Sequence, residues 1–448
     1  MTENDPSQGG GTTSGASATE RAQTNLILRS VPEAVAWPPD WETRGVRYFY
    51  RRGGVVVRNR HRDRVEAALT SVHPTRRALA PQVRSGATLL RWEATDDGPT
   101  VPEVLDLVAD EVGARVAAPD YLFYVCVHSC AASEQEVVPA DAELFPPLII
   151  PESGGPITGL GEGVKVVLLD TGLVAGAAAE HPWLDGVTGD LDDPHLPDPD
   201  NPNARLAQDG GHGTFAAGCV RVTAPRAEVH VVNAVDQLPR LPEESPIGGA
   251  FESDLADLLR SQLVAAPGHD PIPVPVPDII VLNFAGATAD DHPPVALSAL
   301  YDDVIQHLGE VLILAPAGNE GDTRKNWPAS FRWVTSVGAL DSSWLRRASW
   351  SNYGRTVDVY APGEGLVNAF AHGDYECTWE SAAGEVRTFD GMARWSGTSF
   401  ATPLVAGLVA SRMSTTGQNS QRAWRSMRDL AEGQAVPGVG PVLYPRQG

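Results

Sequence analysis

Residues 164–172 read VKVVLLDTG, an almost unbroken apolar run that stops at an aspartate and a Thr-Gly turn. An apolar strand of this kind has no face suited to water, so it belongs in a sheet covered on both sides. Four runs of similar texture follow: EVHVVNAV (228–235), DIIVLNFAG (278–286), EVLILAPAG (310–318) and WVTSVGAL (333–340). Helical stretches stand between them, one after His212, then SDLADLLRSQLV (253–264) and LSALYDDVIQHLG (297–309). Strands alternating with helices predict an α/β fold in three layers, with a mostly parallel sheet in the middle. Pro-rich stretches at 237–249 and 267–278 are read as surface connections, because proline cannot serve an interior ladder.

Ligands of open α/β sheets bind at the carboxyl ends of the strands, which is where Asp170 stands. Taken alone, an aspartate there is a turn or cap residue. Two other segments change its meaning. GGHGTFAAGCV (210–220) carries His212 at the start of a small-residue helix, and WSGTSFATPLVAGLVA (395–410) carries Ser399 in a turn that opens an apolar helix. Each is bland singly, since a serine at a helix start is usually a cap. Together, in the order Asp, His, Ser along an α/β pattern, they resemble the subtilase family over about residues 161–413.

That resemblance implies a serine endopeptidase. Ser399 would attack the scissile carbonyl, His212 would take its proton, and Asp170 would orient the imidazole and stabilise its charged form. A fourth block, EVLILAPAGNEGD (310–322), resembles the family segment whose asparagine side chain donates to the oxyanion, which makes Asn319 that residue. The backbone N–H of Ser399 would be the second donor. The resemblance also places one wall of the substrate cleft at Asn283, Phe284, Ala285 and Gly286. The other runs through Ala317, Gly318, Glu320 and Gly321. Glu320 would lie at the base or rim of the specificity pocket, where it either selects a basic residue or faces water. The chain departs from the family pattern in NFAG, which lacks a common serine, and in a short pocket loop, NEGDTRKNWPAS (319–330).

Upstream, residues 41–132 read as strand (VRYFYRR), turn, strand (VVVRN), helix, strand, helix and strand, a small α+β unit of ferredoxin-like type. This segment, ending VAAPDYLFYV, is similar to the inhibitory propeptides that precede many subtilase domains. From Trp41 to Trp92 there are twelve arginines, no lysine and three carboxylates, so this stretch carries +9 against −32 for the rest of a −23 chain. A basic unit tethered to an acidic body is expected to dock on it as an intramolecular partner. Residues 1–40 are expected to be a disordered polar tail, 133–158 an exposed linker, and 159–448 the catalytic domain.

The strong negative charge argues against nucleic acid and anionic membrane surfaces as partners. No apolar run is long enough to span a bilayer, and the amino terminus lacks a secretory pattern, so a cytoplasmic location is expected, with an atypical export route as the alternative. Four cysteines are too few for a disulfide framework. Cys126, His128 and Cys130 do not follow zinc spacing and are assigned to chance or packing. No cofactor is expected, and nothing in the sequence fixes a calcium site. Protein or peptide substrates, and a regulatory protein, complete the expected partners. A silent peptide-binding scaffold is the competing class; its usual signature, a substituted triad position, is missing.

Overall fold

The computed structural model describes residues 18–83, 86–125, 135–148, 159–194, 196–197, 204–235, 248–264, 276–377 and 382–445. The amino-terminal unit comprises α1 (Ala18–Ser30), β1 (Ala34–Trp37), β2 (Tyr48–Arg58), α2 (Arg62–Val72), β3 (Ala87–Glu93), α3 (Val101–Val112) and β4 (Ala117–Val125). Its central order, β4–β2–β3 with two short strands beyond β3, is antiparallel throughout, as in a ferredoxin-like unit. Local sequence explains its helices. In α3 the Thr100 hydroxyl accepts from the Glu103 N–H while the Glu103 carboxylate accepts from the Thr100 N–H, and Val101, Val104, Val108 and Val112 form the buried stripe.

The two strands expected around Gly53 are one. The chain does not turn there but bulges: pairing with β4 shifts between Tyr50 and Val55, and Gly53 takes a φ of 59°. A side chain at Gly53 would place its Cβ 2.4 Å from the Trp92 carbonyl oxygen, so the bulge requires glycine. The expected tail is likewise shorter. Residues 18–40 include α1 and β1; Ile27, Val31, Ala34 and Ala36 are buried against Phe49, Leu122, Tyr124 and Phe251. Polar composition concealed a helix with one apolar face, which only a partner surface makes worth folding.

After β4 the next described residues form β5 (Glu136–Val137). The linker expected to be exposed is docked over this part: β5 pairs with the sheet of the body, Phe145 exchanges backbone bonds with Val367, and Gln135 and Val138 are buried. Its remaining residues, 133–134 and 149–158, lie outside the described set, as do the Cys126–Cys130 span, residues 1–17 and most of both Pro-rich stretches.

The body contains β6 (Lys165–Asp170), α4 (His212–Thr223), β7 (Glu228–Asn233), β8 (Gly249–Phe251), α5 (Glu252–Leu263), β9 (Ile279–Leu282), β10 (Phe284–Ala285), α6 (Val295–Leu300), β11 (Leu312–Pro316), β12 (Thr335–Leu340), β13 (Val359–Pro362), β14 (Leu366–Glu376), β15 (Val386–Trp395), α7 (Thr398–Thr416) and α8 (Ser420–Gly433). Its seven-stranded sheet has the order β13–β12–β11–β9–β6–β7, with the short strand Thr188–Gly189 at the edge, and every pair is parallel. The strand period sorts the core. Val166, Leu168, Ile279, Val281, Leu312 and Leu314 pack under α4, α7 and α8. Val167, Leu169, Ile280, Leu282, Ile313 and Ala315 pack under α5 and α6. This second core continues without a break into the amino-terminal unit, through Val55, Leu89, Trp92 and Phe123. The two units therefore share buried surface. Among the described residues no helix is long and apolar enough to cross a membrane.

Candidate active site

Parallel register assembles the polar centre. Asp170 ends β6, Asn233 of β7 is its partner on one side, and on the other the Asn283 N–H bonds to the Leu169 carbonyl, so Asn283 follows β9 directly beside Asp170. Helix α4 begins with His212 after Gly211, whose φ of 79° lets the chain enter the helix abruptly. A Cβ at Gly213 would lie 2.3 Å from the Gly172 carbonyl oxygen, so bare backbone there brings the helix start onto the Asp170 turn.

The three expected residues meet. His212 Nδ1 lies 2.8 Å from Asp170 Oδ1, and His212 Nε2 lies 3.0 Å from Ser399 Oγ. All three are buried, with exposures of 0–1%. The Asp170 carboxylate also accepts from the Thr171 N–H at 2.8 Å and from Asn283 Nδ2 at 2.7 Å. The imidazole is walled by Trp395, edge-on at 5.3 Å, and Phe400 at 4.7 Å, which keep water from competing for its hydrogen bonds. Such a line can move a proton from the hydroxyl to the imidazole with the carboxylate facing the charge that forms.

Ser399 is the second residue of α7, where backbone N–H groups have no acceptor within the helix. Asn319 stands alongside: its Oδ1 accepts from the Thr398 N–H at 3.1 Å and the Thr398 hydroxyl at 2.8 Å. Both bonds use the oxygen, which fixes the side chain and leaves donation to the amide nitrogen.

The expected cleft residues divide. Phe284 and Ala285 form β10, and Gly286 exchanges backbone bonds with Trp327. The Asn283 side chain does not face a pocket. It is fully buried and turns to Asp170 and to the Ser399 carbonyl, because parallel pairing puts it on the same side as its neighbour. On the other wall, the Ala317 carbonyl accepts from Asn352, and Gly318 takes a φ of 106°. The Glu320 carboxylate accepts from Asn352 Nδ2 at 2.7 Å and Asn326 Nδ2 at 3.2 Å, and burial raises its pKa. It does not simply face water. Glu320, Asp322, Arg324, Asn326 and Asn352 line a solvent-open cavity of about 100 Å³ together with Tyr124 and residues 46–49 of the amino-terminal unit.

Between the cleft strands runs the chain itself. Leu122, Phe123 and Tyr124 pair antiparallel with Phe251, Ala250 and Gly249, while Tyr124 and Val125 pair with Ala285 and Phe284 on the opposite side. Three residues of this site, Asn352, Trp395 and Phe400, were not singled out from sequence. Trp395 and Phe400 flank the quoted Gly-Thr-Ser turn, a signal that was available; Asn352, in WSNYG (350–354), offered none.

Among the described residues no cluster of three or more His, Cys, Asp or Glu side chains is placed to hold a metal ion, and Cys219 and Cys377 are both buried. Residues 161–442 match the model of the subtilase family. The intracellular serine protease of Paenibacillus polymyxa is 29% identical over 268 residues, covering 56% of this chain and 66% of that protein. Thermitase of Thermoactinomyces vulgaris is 27% identical over 292 residues, covering 62% and 84%. Fervidolysin of Fervidobacterium pennivorans, a keratinolytic enzyme related to subtilisin, superposes with a TM-score of 0.54 at 18% identity, over 88% of this chain and 60% of that structure; this likeness is one of fold. The chain thus spans a little less than two thirds of both the Paenibacillus protease and fervidolysin.

Proposed function

Because the chain belongs to the subtilase family, we propose that it is a serine endopeptidase acting through an acyl-enzyme on Ser399. The observation that carries this reading is the unbroken line Asp170 Oδ1, His212 Nδ1, His212 Nε2, Ser399 Oγ, with links of 2.8 and 3.0 Å. In the first half-reaction His212 takes the hydroxyl proton as Oγ attacks the carbonyl carbon. The oxyanion accepts from the Asn319 amide and the Ser399 N–H, and His212 then protonates the departing amine. Water repeats the sequence to release the acid. Every group comes from the chain, so the chemistry calls for no cofactor. The test is fluorophosphonate labelling: wild type is expected to label at Ser399 and Ser399→Ala not at all, and labelling that survives the substitution refutes the assignment.

The amino-terminal unit acts in this reading as an inhibitory, propeptide-like body. Support comes from residues 122–125 lying in the cleft as an added strand. Three arginines of the unit also bond to carboxylates of the body, Arg47 to Asp290, Arg51 to Asp254 and Arg58 to Asp302. Protein or peptide substrates would take that strand's place. The similar Paenibacillus enzyme is named as intracellular, which supports the same setting here.

A further inference from the structure

Asn283 makes two bonds that no part of substrate recognition requires. Its Nδ2 donates to Asp170 Oδ2 at 2.7 Å and to the backbone oxygen of Ser399 at 3.0 Å. Both neighbours are acceptors, so only the amide nitrogen can face them. The residue is fully buried, and its Oδ1 has no partner among the described residues. A buried polar atom left unsatisfied costs stability, so this amide is kept at a cost that its nitrogen must justify.

The two acceptors are the two ends of the proton line. Asp170 Oδ1 is taken by His212 and by the Thr171 N–H, while Oδ2 receives the Asn283 amide. The carboxylate is thereby pinned in plane, with one oxygen reserved for the imidazole. The second bond ties the backbone of Ser399 to the same side chain, across 116 positions of sequence. One amide therefore sets the separation between the base's orienting acid and the nucleophile.

We infer that Asn283 is a positioning residue for the triad: it holds Asp170 and the Ser399 backbone at a fixed distance, so that His212 can bridge them. This rests on the endopeptidase reading. Parallel register supplies the cause, because Leu282 pairs with Leu169 and the next residue on each strand must then stand side by side. The charged and titratable groups in contact with this arrangement are Asp170 and His212; the aromatic rings of Trp395 and Phe400 close it.

The experiment compares the full chain with Asn283→Ala, Asn283→Ser, Asn283→Asp and Ser399→Ala. Fluorophosphonate labelling rates are measured across pH, with kcat and KM on a peptide anilide. Asn283→Ala is expected to label about 10- to 100-fold more slowly, the size of one hydrogen bond to a buried charge. The loss should appear in kcat with KM little changed. Asn283→Ser retains a donor and should recover part of the rate. Asn283→Asp can donate only while protonated, so its rate should fall as pH rises, a pattern that packing alone would not produce. Wild-type rates and profiles in Asn283→Ala and Asn283→Asp would overturn the inference, as would an equal loss at every pH that Asn283→Ser does not relieve. Should Asn283→Ala fail to fold by circular dichroism, the isosteric Asn283→Asp decides. Wild-type chain that labels at a residue other than Ser399 instead refutes the endopeptidase reading itself.

Discussion

Replacing Arg51 by methionine should loosen the amino-terminal unit from the cleft. The Arg51 side chain is 8% exposed and its guanidinium bonds to Asp120 at 2.8 Å, to Glu33 at 2.8 Å and to Asp254, while lying 3.9 Å from the centre of the Phe251 ring. Burial works against the cation, but Asp120, Asp254 and Glu33 outweigh it and raise the Arg51 pKa. Asp120 is fully buried, and burial raises its pKa even with Arg51 beside it. Methionine keeps the apolar stem and removes the charge, so the cost is that of a stranded buried carboxylate, about 3–5 kcal/mol. The lower end applies, because the Ser253 N–H and hydroxyl still donate to Asp120 at 3.0 and 2.9 Å and protonation limits the loss. About 3 kcal/mol corresponds to a factor of ~150 in the docking equilibrium. The assay is hydrogen exchange by mass spectrometry in a Ser399→Ala background, following segments 122–125 and 249–251, whose amides pair across the cleft. Exchange should accelerate by about two orders of magnitude. Arg52→Ala is the control: its pair with Asp96 is 47% and 92% exposed, and such surface pairs contribute about 0–1 kcal/mol. Equal exchange in Arg51→Met and Arg52→Ala would refute the reasoning.

Asn319→Ala should lower kcat by ~10²–10³-fold, about 2.7–4 kcal/mol, the size measured for one such donor in a related subtilisin. KM should change little, and a KM effect alone would place Asn319 outside the oxyanion site. Glu252→Gln probes pH. Burial, with Asp120 nearby, pushes the Glu252 pKa well above the ordinary carboxyl range, while its Oε1 accepts from the Ala296 and Leu297 N–H groups. A raised folded pKa means that the native state binds the extra proton, so this contribution is complete below the ordinary carboxyl pKa of about 4.3 and is lost as pH rises through the folded value. The melting temperature of Glu252→Gln relative to the parent, both in the Ser399→Ala background, should therefore climb as pH increases from about 4 to 8. A difference that stays constant over that range would refute it.

The sequence by itself determined the sheet and pointed to the residues that meet at its edge. Apolar strands such as VKVVLLD leave no face for water, and Asp170, His212, Ser399 and Asn319 each sit in a segment whose turn glycines and small residues are legible one at a time. Local signals also placed α3, where Thr100, Glu103 and a valine stripe agree. What sequence could not carry was anything decided by a partner surface. Helix α1 reads as polar tail until Leu122, Tyr124 and Phe251 are there to bury Ile27, and the linker reads as exposed until β15 offers an edge to β5. Asn283 is the sharpest instance. Its residue type and its place after a buried strand were plain, yet its role depends on which strand lies beside β9 and in what register. Only the tertiary pairing of Leu282 with Leu169 turns its amide from the cleft to Asp170, because the direction of a side chain on a sheet is fixed by its neighbours in space and not by its neighbours in sequence.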